Sequence, residues 1–185
     1  MIGIDEVGRG CWAGPLLVVA ARDTTVLPQN LKDSKLLSRK NRELFFTKIA
    51  SSCDLGEGWV TAKEIDAIGL TQAMYLAVER SLNALNARHD EIIIIDGNIN
   101  YCPAQFRFSK AIINADATHP LVSAASIYAK VLRDTYMTTQ AKLYPGYNFE
   151  ANVGYGTASH SLGLMRQGIC DLHRQSYKPI QAYIS

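Results

Sequence analysis

The sequence predicts an α/β fold in which a mixed β-sheet is flanked by helices, with a small helical appendage at the C-terminus. Two strand-like segments open the chain, helical and strand-like patterns then alternate, and one strand is almost wholly isoleucine. The 185 residues suit one domain with a sizeable core. We divide it at about residue 143 into a core and a C-terminal segment that carries a substrate-binding loop.

The first two strands are predicted over Met1–Asp5 and Leu16–Ala21. The first stops at the glycines of the Gly8–Pro15 segment, and the second is rich in Leu and Val, so the two should pair as a hairpin. A further short strand is predicted at Trp59–Thr61.

Capping signals mark the first helices. Ser38 has the character of an N-cap for a helix that runs to about residue 51. Thr61 and Glu64 have the spacing of a capping box, and Gly69 should end the short helix that they begin. Apolar residues at three- and four-residue intervals then predict a longer helix over Leu70–Asn86.

The second half alternates between strand and helix. Glu91–Asp96 contains four consecutive isoleucines, which is typical of a strand covered on both faces. A long helix is predicted over Pro120–Leu143. Tyr144–Tyr155 is rich in Gly, Pro and aromatic residues and predicts a loop, and a last helix should follow Thr157.

Acidic residues recur where the predicted elements end. Asp5 and Glu6 close the first strand, Asp96 closes the isoleucine strand, and Asp116 precedes the long helix. Converging carboxylates are costly to bury without a cation, and hard divalent ions prefer carboxylate oxygens. Adjacent strand residues point to opposite faces, so the first two share a site only if the strand ends or twists between them. Taken singly, Asp96 also fits a turn and Asp116 a helix cap.

Composition excludes several classes of protein. Apolar residues make up 48% and charged residues 19%, and the net charge of +2 permits nucleic-acid binding without a strongly basic face. The four cysteines form no CxxC pair, so we expect reduced thiols in the cytoplasm. We predict no signal peptide and no membrane association, because the apolar runs of the sequence, such as Ile92–Ile95, are far too short to cross a bilayer.

Six groups of residues match one set of known motifs in order along the chain. They are Gly3–Gly10 with Ala13–Pro15, Asp33–Ser38, Ile94–Asn98, Ala115–Ala117 with Val122–Asp134, Tyr144–Tyr147 with Gly154–Thr157, and His173–Ser176. Together they resemble type 2 ribonuclease H over nearly the whole chain and imply a ribonuclease H-like fold. Arg9 fits type 2, because type 3 enzymes usually carry another residue there, and type 1 enzymes lack the set.

The resemblance implies an endonuclease that hydrolyses the RNA strand of RNA–DNA hybrids and cuts 5′ of ribonucleotides embedded in duplex DNA. Its products would carry a 5′-phosphate and a 3′-OH, and its roles would be ribonucleotide and RNA primer removal. The catalytic and metal-binding acids would be Asp5, Glu6, Asp96 and Asp116. They would hold two Mn²⁺ or Mg²⁺ ions, of which one activates water and the other stabilises the leaving oxygen. Nucleic acid would be the partner of a monomeric enzyme.

The resemblance also implies how the junction is recognised. The backbone of Gly8, Arg9 and Gly10 would grip the ribonucleotide 2′-OH, and Tyr155 would stack on the deoxyribose that follows. The 2′-OH distinguishes RNA from DNA at a given sugar, and glycines allow the backbone to approach it. From the residues alone, Tyr155 fits a partly buried core aromatic equally well, and Arg9 fits a solvated charge.

Candidates for phosphate contact are Lys35, Ser126 and Lys130. Each also fits a surface or helix residue. Asp134 lies four residues after Lys130, so we interpret it as a structural ion-pair partner rather than a fifth catalytic acid. We interpret His160 and His173 as structural as well, because a metal-bound hydroxide needs no histidine as a base.

Two residues depart from the family pattern. Asn114 stands where a Lys is usual, which puts local phosphate contacts in doubt, and Tyr177 stands where Phe is common.

Three alternative functions remain open. The first is a nuclease of the same fold that cuts DNA without a 2′-OH requirement, and the second is an inactive hybrid-binding module, although all four acids are present. A small-molecule phosphatase is the third, and the lack of a GxxxxGK[ST] loop argues against a nucleoside triphosphatase.

Overall fold

The computed structural model describes residues 1–29, 31 and 38–184. The elements in chain order are β1 (Ile2–Val7), β2 (Leu16–Asp23), α1 (Arg39–Ser52), β3 (Cys53–Val60), α2 (Ala62–Ala84), β4 (Ile93–Asp96), β5 (Ser109–Ile112), α3 (Ala115–Thr118), α4 (Pro120–Ala141), α5 (Phe149–Asn152), α6 (Ala158–Gln167) and α7 (Lys178–Gln181). Five strands form one sheet in the order β3-β2-β1-β4-β5. The predicted α/β fold with a mixed sheet is confirmed.

Strand β1 lies at the centre of the sheet and joins its two halves. It pairs antiparallel with β2, which confirms the predicted hairpin, and parallel with β4. The last pair between β1 and β4 joins Ile4 to Ile95, so the residues that follow, Asp5 and Asp96, lie side by side at one edge. Beyond Ile4, β1 has no partner on the β4 side, and this opens a gap beside its C-terminal end.

Helices cover both faces of the sheet. On one face, Ile2 and Ile4 pack with Met74 and Val78 of α2, and on the other, Val19 packs against residues of α1 and α4. Helix α4 crosses β1 very closely: a Cβ at Gly3 would lie 2.4 Å from the α4 backbone. Burying these side chains is the main stabilising contribution to the fold, at roughly 1.5–3 kcal/mol for each large one.

The predicted capping signals are confirmed. The side chain of Ser38 accepts a hydrogen bond from the Asn41 N–H, and Thr61 and Glu64 form a capping box. Gly69 has φ 76° and interrupts α2 with a kink, so the two predicted helices are two parts of one element. Each cap satisfies an N–H group that the first helical turn leaves without a partner.

The predicted boundaries differ from the structure in four places. β1 continues to Val7, so Asp5 and Glu6 lie inside the strand rather than at its end. β3 begins at Cys53 rather than Trp59, because its glycines and charges hide the alternation expected of a strand. Short β5 and α3 were not predicted. Ile92 is exposed, so only the next three isoleucines are covered on both faces.

The C-terminal elements form a separate apolar cluster. Phe149 of α5, Leu164 of α6 and Ile180 of α7 pack against Ala13 and Met137. The predicted last helix is α6, with Thr157 as its N-cap, and the predicted Tyr144–Tyr155 loop contains α5. Among the described residues, no helix combines the length and apolar character needed to cross a membrane.

Candidate active site

A cleft of about 460 Å³ opens beside the C-terminal end of β1. We call it the carboxylate cleft. It is lined by Asp5, Glu6, Val7, Gly8, Arg9, Gly10, Arg42, Asp96, Ser126, Lys130 and Tyr155. Nine of the eleven site residues predicted from the sequence therefore lie together, although they come from elements far apart in the chain.

Asp5 is the most perturbed acid of the cleft. It is 7% exposed. Burial raises the pKa of its carboxyl group from 3.8 to about 8, and the charges of Glu6 and Asp96 act in the same direction. The Ser126 side chain hydrogen-bonds to it, as does the Glu6 N–H at 2.8 Å, and both bonds favour the ionised form. Asp5 therefore lies where negative charges accumulate without full compensation.

Glu6 borders the same cleft although it follows Asp5 directly in the strand. The gap beyond the last β1–β4 pair makes this possible, because no neighbouring strand separates the two side chains on that side. Burial raises the pKa of Glu6, whereas Arg9 lowers it. The Arg9 guanidinium lies 3.7 Å from Glu6 Oε1 and 3.4 Å from the Tyr101 hydroxyl. Arg9 therefore supplies positive charge to the acids.

Asp96 is held in place by the start of α3. Its Oδ1 accepts a hydrogen bond from the Ala115 N–H at 2.7 Å. Asp116 is the next residue in α3 and is 5% exposed. It does not line the cleft, and its backbone carbonyl accepts a hydrogen bond from the Ser123 hydroxyl. Three of the four predicted acids thus border the cleft, and the fourth directly follows Ala115, whose N–H holds Asp96.

The donor chemistry of these acids fits a divalent metal. All the donors are carboxylate oxygens, which hard cations prefer. The pKa of Asp5 is raised by burial first and by the charges of Glu6 and Asp96 second, and a bound cation would offset both effects. Among residues 1–29, 31 and 38–184, no group of three or more His, Cys, Asp or Glu side chains is arranged so that it would hold an ion as it stands. The fit therefore rests on charge and donor type, and binding requires side chains such as Glu6 to turn.

Helix α4 contributes the opposite wall of the cleft. Ser126 hydrogen-bonds to Asp5, so it supports an acid in addition to facing the cleft. Lys130 lies 3.0 Å from Asp134 and 5.9 Å from the centre of the Tyr155 ring. The expected Lys130–Asp134 ion pair is present. The exposed aromatic face of Tyr155 and the ammonium of Lys130 form one continuous edge.

The Gly8–Pro15 loop forms the floor of the cleft. Gly8 has φ 87°, and a Cβ there would lie 2.2 Å from Arg133 Nε, so only glycine fits. Gly10 differs, because a Cβ there would meet nothing within 4 Å. Gly10 therefore leaves open space, which allows a ligand to approach the backbone.

Arg133 ties this loop to the segment that carries Tyr155. It has no exposed surface and donates to the carbonyls of Pro15 at 2.8 Å, Val153 at 2.9 Å and Ala13 at 3.2 Å. Val153 has φ 45°, which is a strained conformation for a β-branched residue, and such strain is concentrated at functional sites. The sequence analysis assigned no role to Arg133, because its partners are distant in the chain.

His160 and His173 lie behind the cleft. They are 0% and 1% exposed, and they are enclosed by Tyr147, Phe149 and Trp12. Neither histidine lines the cleft. This burial agrees with the structural role expected for both.

The structure gives different outcomes for Lys35, Arg42 and Asn114. Lys35, with the rest of its motif up to residue 37, lies outside the described residues. Arg42 of α1 lines the cleft, and the sequence analysis missed it because it lies in a helix with no motif of its own. Asn114, the residue that departs from the usual Lys, adopts φ 56°, a left-handed conformation that Asn tolerates well.

Known proteins match the chain along nearly its whole length. The family model for ribonuclease HII matches residues 2–180. Ribonuclease HII of Jannaschia sp. (strain CCS1) is 40% identical over 183 residues, which cover 96% of this chain and 89% of that protein.

Solved structures agree with this match. Ribonuclease H2 of Pyrococcus horikoshii OT3 superposes with a TM-score of 0.75 at 25% identity, covering 98% of this chain and 95% of that one. Bst-RNase HIII in complex with Mn²⁺ gives a TM-score of 0.72 at 20% identity, covering 97% and 67%. The chain therefore belongs to the ribonuclease HII family, whose members are divalent-metal-dependent endonucleases that cleave the RNA of RNA–DNA hybrids and cut at ribonucleotides in DNA by a two-metal mechanism.

Proposed function

We propose that the carboxylate cleft hydrolyses the phosphodiester on the 5′ side of a ribonucleotide, in hybrids and in duplex DNA, and leaves a 5′-phosphate and a 3′-OH. The observation that carries this proposal is the shared cleft. Three acids, a glycine-rich backbone and an exposed aromatic ring border one volume of about 460 Å³. A cleft of this volume that is lined by both acids and cations suits a sugar–phosphate backbone.

Asp5, Glu6 and Asp96 are the residues that would hold Mn²⁺ or Mg²⁺, with Asp116 as the fourth ligand of a pair of ions. When bound, such ions supply a nucleophilic water at neutral pH and offset charge on the leaving oxygen. Ser126 orients the Asp5 carboxylate through its hydrogen bond. Asp96 is oriented by the Ala115 N–H, so a ligand at this position needs little rearrangement.

Cations around the acids would hold the substrate phosphates. Lys130 and Arg42 line the cleft from α4 and α1. Ser126 shares the α4 wall with Lys130, and it would contact a phosphate only when its single O–H turns from Asp5 to the substrate. Lys35 is a fourth candidate, on the strength of its motif alone. Contacts from such side chains to phosphates fix the position and orientation of the protein on the duplex, but they do not distinguish one base sequence from another.

Recognition of the ribose would belong to the Gly8–Pro15 loop and to Tyr155. Gly8 and Gly10 allow the backbone around Arg9 to come close to a 2′-OH. Tyr155 is 40% exposed and presents a flat face beside Lys130. A ring stacked on the next sugar would favour deoxyribose, because a 2′-OH there would crowd it.

The cellular role that follows is the removal of single ribonucleotides and RNA primers from DNA. We propose a monomer as the working form. We propose the cytoplasm as its location, since all four cysteines are free thiols.

The proposal is tested by cleavage of three labelled duplexes, which are all-DNA, DNA with one ribonucleotide, and RNA–DNA hybrid. Wild type with Mg²⁺ or Mn²⁺ should cut the last two, and Asp96→Asn should cut none. Asp90→Asn is the matched control, because Asp90 is exposed and pairs with Arg88 away from the cleft. Cleavage of all-DNA duplex at an equal rate would favour a DNA nuclease, and binding without cleavage would favour a hybrid-binding module.

A further inference from the structure

Arg174 joins the C-terminal segment to the floor of the carboxylate cleft. It lies between α6 and α7 and has no exposed surface. Its guanidinium donates to three carbonyls of the Gly8–Pro15 loop, at 2.7 Å to Gly8, 3.0 Å to Arg9 and 3.0 Å to Gly14. One side chain thus fixes both ends of the loop.

The environment of this arginine is unusual for a buried charge. In the described part of the chain no carboxylate pairs with Arg174, and its partners are the loop carbonyls and the Tyr177 hydroxyl at 2.9 Å. The same hydroxyl donates to the Arg9 carbonyl at 2.9 Å. A buried cation is costly unless its hydrogen bonds are satisfied. Here they are satisfied by the loop backbone, so the cation and the loop shape depend on each other.

The carbonyl directions fix the N–H directions. A trans peptide is planar, so its C=O and N–H point to opposite sides. The Gly8 carbonyl shares a peptide with the Arg9 N–H, and the Arg9 carbonyl shares one with the Gly10 N–H. Because Arg174 draws both carbonyls toward the interior, both N–H groups face the cleft.

The hydrogen bonds of the loop agree with this direction. The N–H groups of Arg9 and Gly10 donate to no described residue. The next four N–H groups of the loop all donate to backbone carbonyls. Cys11 donates to Gly8 at 3.3 Å, Trp12 and Ala13 donate to Gly154 at 2.8 Å and 3.2 Å, and Gly14 donates to Leu172 at 2.8 Å. Two adjacent donors therefore have no acceptor among the described residues, and a Cβ at Gly10 would meet nothing within 4 Å.

We infer that Arg174 is a positioning residue that aims the N–H groups of Arg9 and Gly10 at the ribose 2′-oxygen. The inference rests on the proposed function, and it adds that the Arg174 side chain sets the selectivity of the site for a ribose over a deoxyribose. Arg174 touches neither substrate nor acids. Tyr177, where relatives commonly have Phe, adds one more donor to the same carbonyl.

The test is the ratio of kcat/KM for a duplex with one ribonucleotide to kcat/KM for the same duplex with a 2′-fluoro nucleotide. Fluorine keeps the size of the substituent but is a poor hydrogen-bond acceptor. Arg174→Lys retains the charge but loses the forked geometry. We expect it to lower the ratio by about ten- to hundredfold, and Tyr177→Phe by about two- to fivefold. Arg22→Lys is the control, because Arg22 donates to the Leu85 carbonyl at the far end of β2.

The outcomes separate this inference from the proposed function. A wild-type enzyme that does not distinguish the two substrates would contradict the proposed 2′-OH recognition itself. A selective wild type, with folded Arg174→Lys and Tyr177→Phe enzymes that keep the wild-type ratio, overturns the inference alone. A purely structural role would lower both rates and leave the ratio unchanged.

Amide exchange in the wild-type protein provides a second test that needs no substitution. We expect the N–H groups of Arg9 and Gly10 to exchange rapidly with solvent, and those of Trp12 and Gly14 to exchange slowly. Slow exchange at Arg9 and Gly10 in the free protein would mean that these donors are already used, and would overturn the inference even if Arg174→Lys fails to fold.

Discussion

His160 and His173 face each other through their Nε2 atoms, 3.0 Å apart, inside an aromatic enclosure. The protons of this pair are fixed from both ends. His173 Nδ1 accepts from the Cys170 N–H at 2.8 Å, so its proton lies on Nε2. His160 Nδ1 contacts the Tyr155 carbonyl at 2.9 Å, which only accepts, so its proton lies on Nδ1. The two assignments agree, because they let His173 Nε2–H donate to the unprotonated Nε2 of His160. The hydrogen-bond chain ends on the backbone carbonyl of Tyr155.

Nitrogen-15 NMR of the imidazole rings tests this assignment. We expect a neutral Nδ1–H tautomer for His160 and a neutral Nε2–H tautomer for His173 at pH 7. The reverse tautomers, or a charged ring in either residue, would contradict the hydrogen-bond chain that holds Tyr155.

The same pair predicts a loss of stability in acid. Burial, together with the adjacent His160, lowers the pKa of His173 from 6.5 to about 4, and burial lowers the pKa of His160 as well. A lowered histidine pKa gives stability that is present above pH 6.5 and is lost as the pH falls toward 4. We expect His173 alone to lower the free energy of unfolding by about 3 kcal/mol over that range.

Denaturant unfolding between pH 7 and pH 4 provides the measurement. The contacting groups Tyr147 and Cys170 have raised pKa values, of about 12 and about 11, so they stay neutral throughout. His173→Gln removes the titrating ring, and its stability should depend less steeply on pH than that of wild type. An equal slope for the two proteins would assign the acid sensitivity to other groups.

Asp5→Asn separates metal binding from stability. Without metal, Asp5 must either stay charged in a buried place beside Glu6 and Asp96 or take up a proton, and Asn removes this cost. The melting temperature should therefore rise by a few degrees, since about 1 kcal/mol corresponds to roughly 2–4 °C at this size. Mn²⁺ should stabilise wild type but not the variant. Cleavage should fall by more than about a hundredfold, because loss of a metal ligand should cost more than the roughly 10- to 100-fold lost with a residue that only supports a ligand.

Calorimetric melts with Mn²⁺ and with chelator compare the two proteins directly. Asp90→Asn, away from the cleft, should respond to Mn²⁺ as wild type does. An Asp5→Asn protein that is stabilised by Mn²⁺ as strongly as wild type would place the metal elsewhere.

Two glycines of the same loop should behave differently. Gly8→Ala puts a Cβ at φ 87° against Arg133 and should lower the free energy of unfolding by about 2–4 kcal/mol. Gly10→Ala meets no atom within 4 Å, so the melting temperature should not change. Its methyl group stands where the substrate backbone would approach, so kcat/KM should fall by about tenfold or more. A fully active Gly10→Ala enzyme would show that substrate does not approach there.

Tyr155 should act through its ring rather than its hydroxyl. Tyr155→Phe keeps the flat face beside Lys130 and should retain cleavage at a single ribonucleotide. Tyr155→Ala should lower kcat/KM on that substrate by about tenfold, with a smaller effect on a long hybrid. Equal losses on both substrates would indicate a role in local structure instead of junction recognition.

Local sequence signals predicted most of the fold, whereas contacts between residues far apart in the chain could not be predicted from the sequence. The Ser38 cap, the Thr61 capping box and the isoleucine strand depend on neighbouring residues and were predicted. β3 was predicted too short, because Gly56 and Gly58 are required by the close approach of α2 rather than by the strand itself.

The same distinction applies to the site. The β1–β4 register brings Asp5 and Asp96 side by side at the cleft, and Asp116 does not line it. The motifs identified all four acids in the sequence but gave no information about this register. Arg174 lies in the last of the six motifs, His173–Ser176. The positioning role inferred for it depends on a contact with Gly8, which is 166 positions away in the chain. No periodicity or spacing in the sequence encodes such a contact.

The most direct test of the account is to map the cut, at single-nucleotide resolution, in an end-labelled DNA duplex that contains one ribonucleotide, with Mn²⁺ present. The account predicts a single cut on the 5′ side of the ribonucleotide, with a 3′-OH on the upstream fragment, and no cut in the all-DNA duplex. A cut on the 3′ side, or cuts spread over the DNA, would contradict a cleft in which the acids and the 2′-OH contacts act on one sugar–phosphate unit.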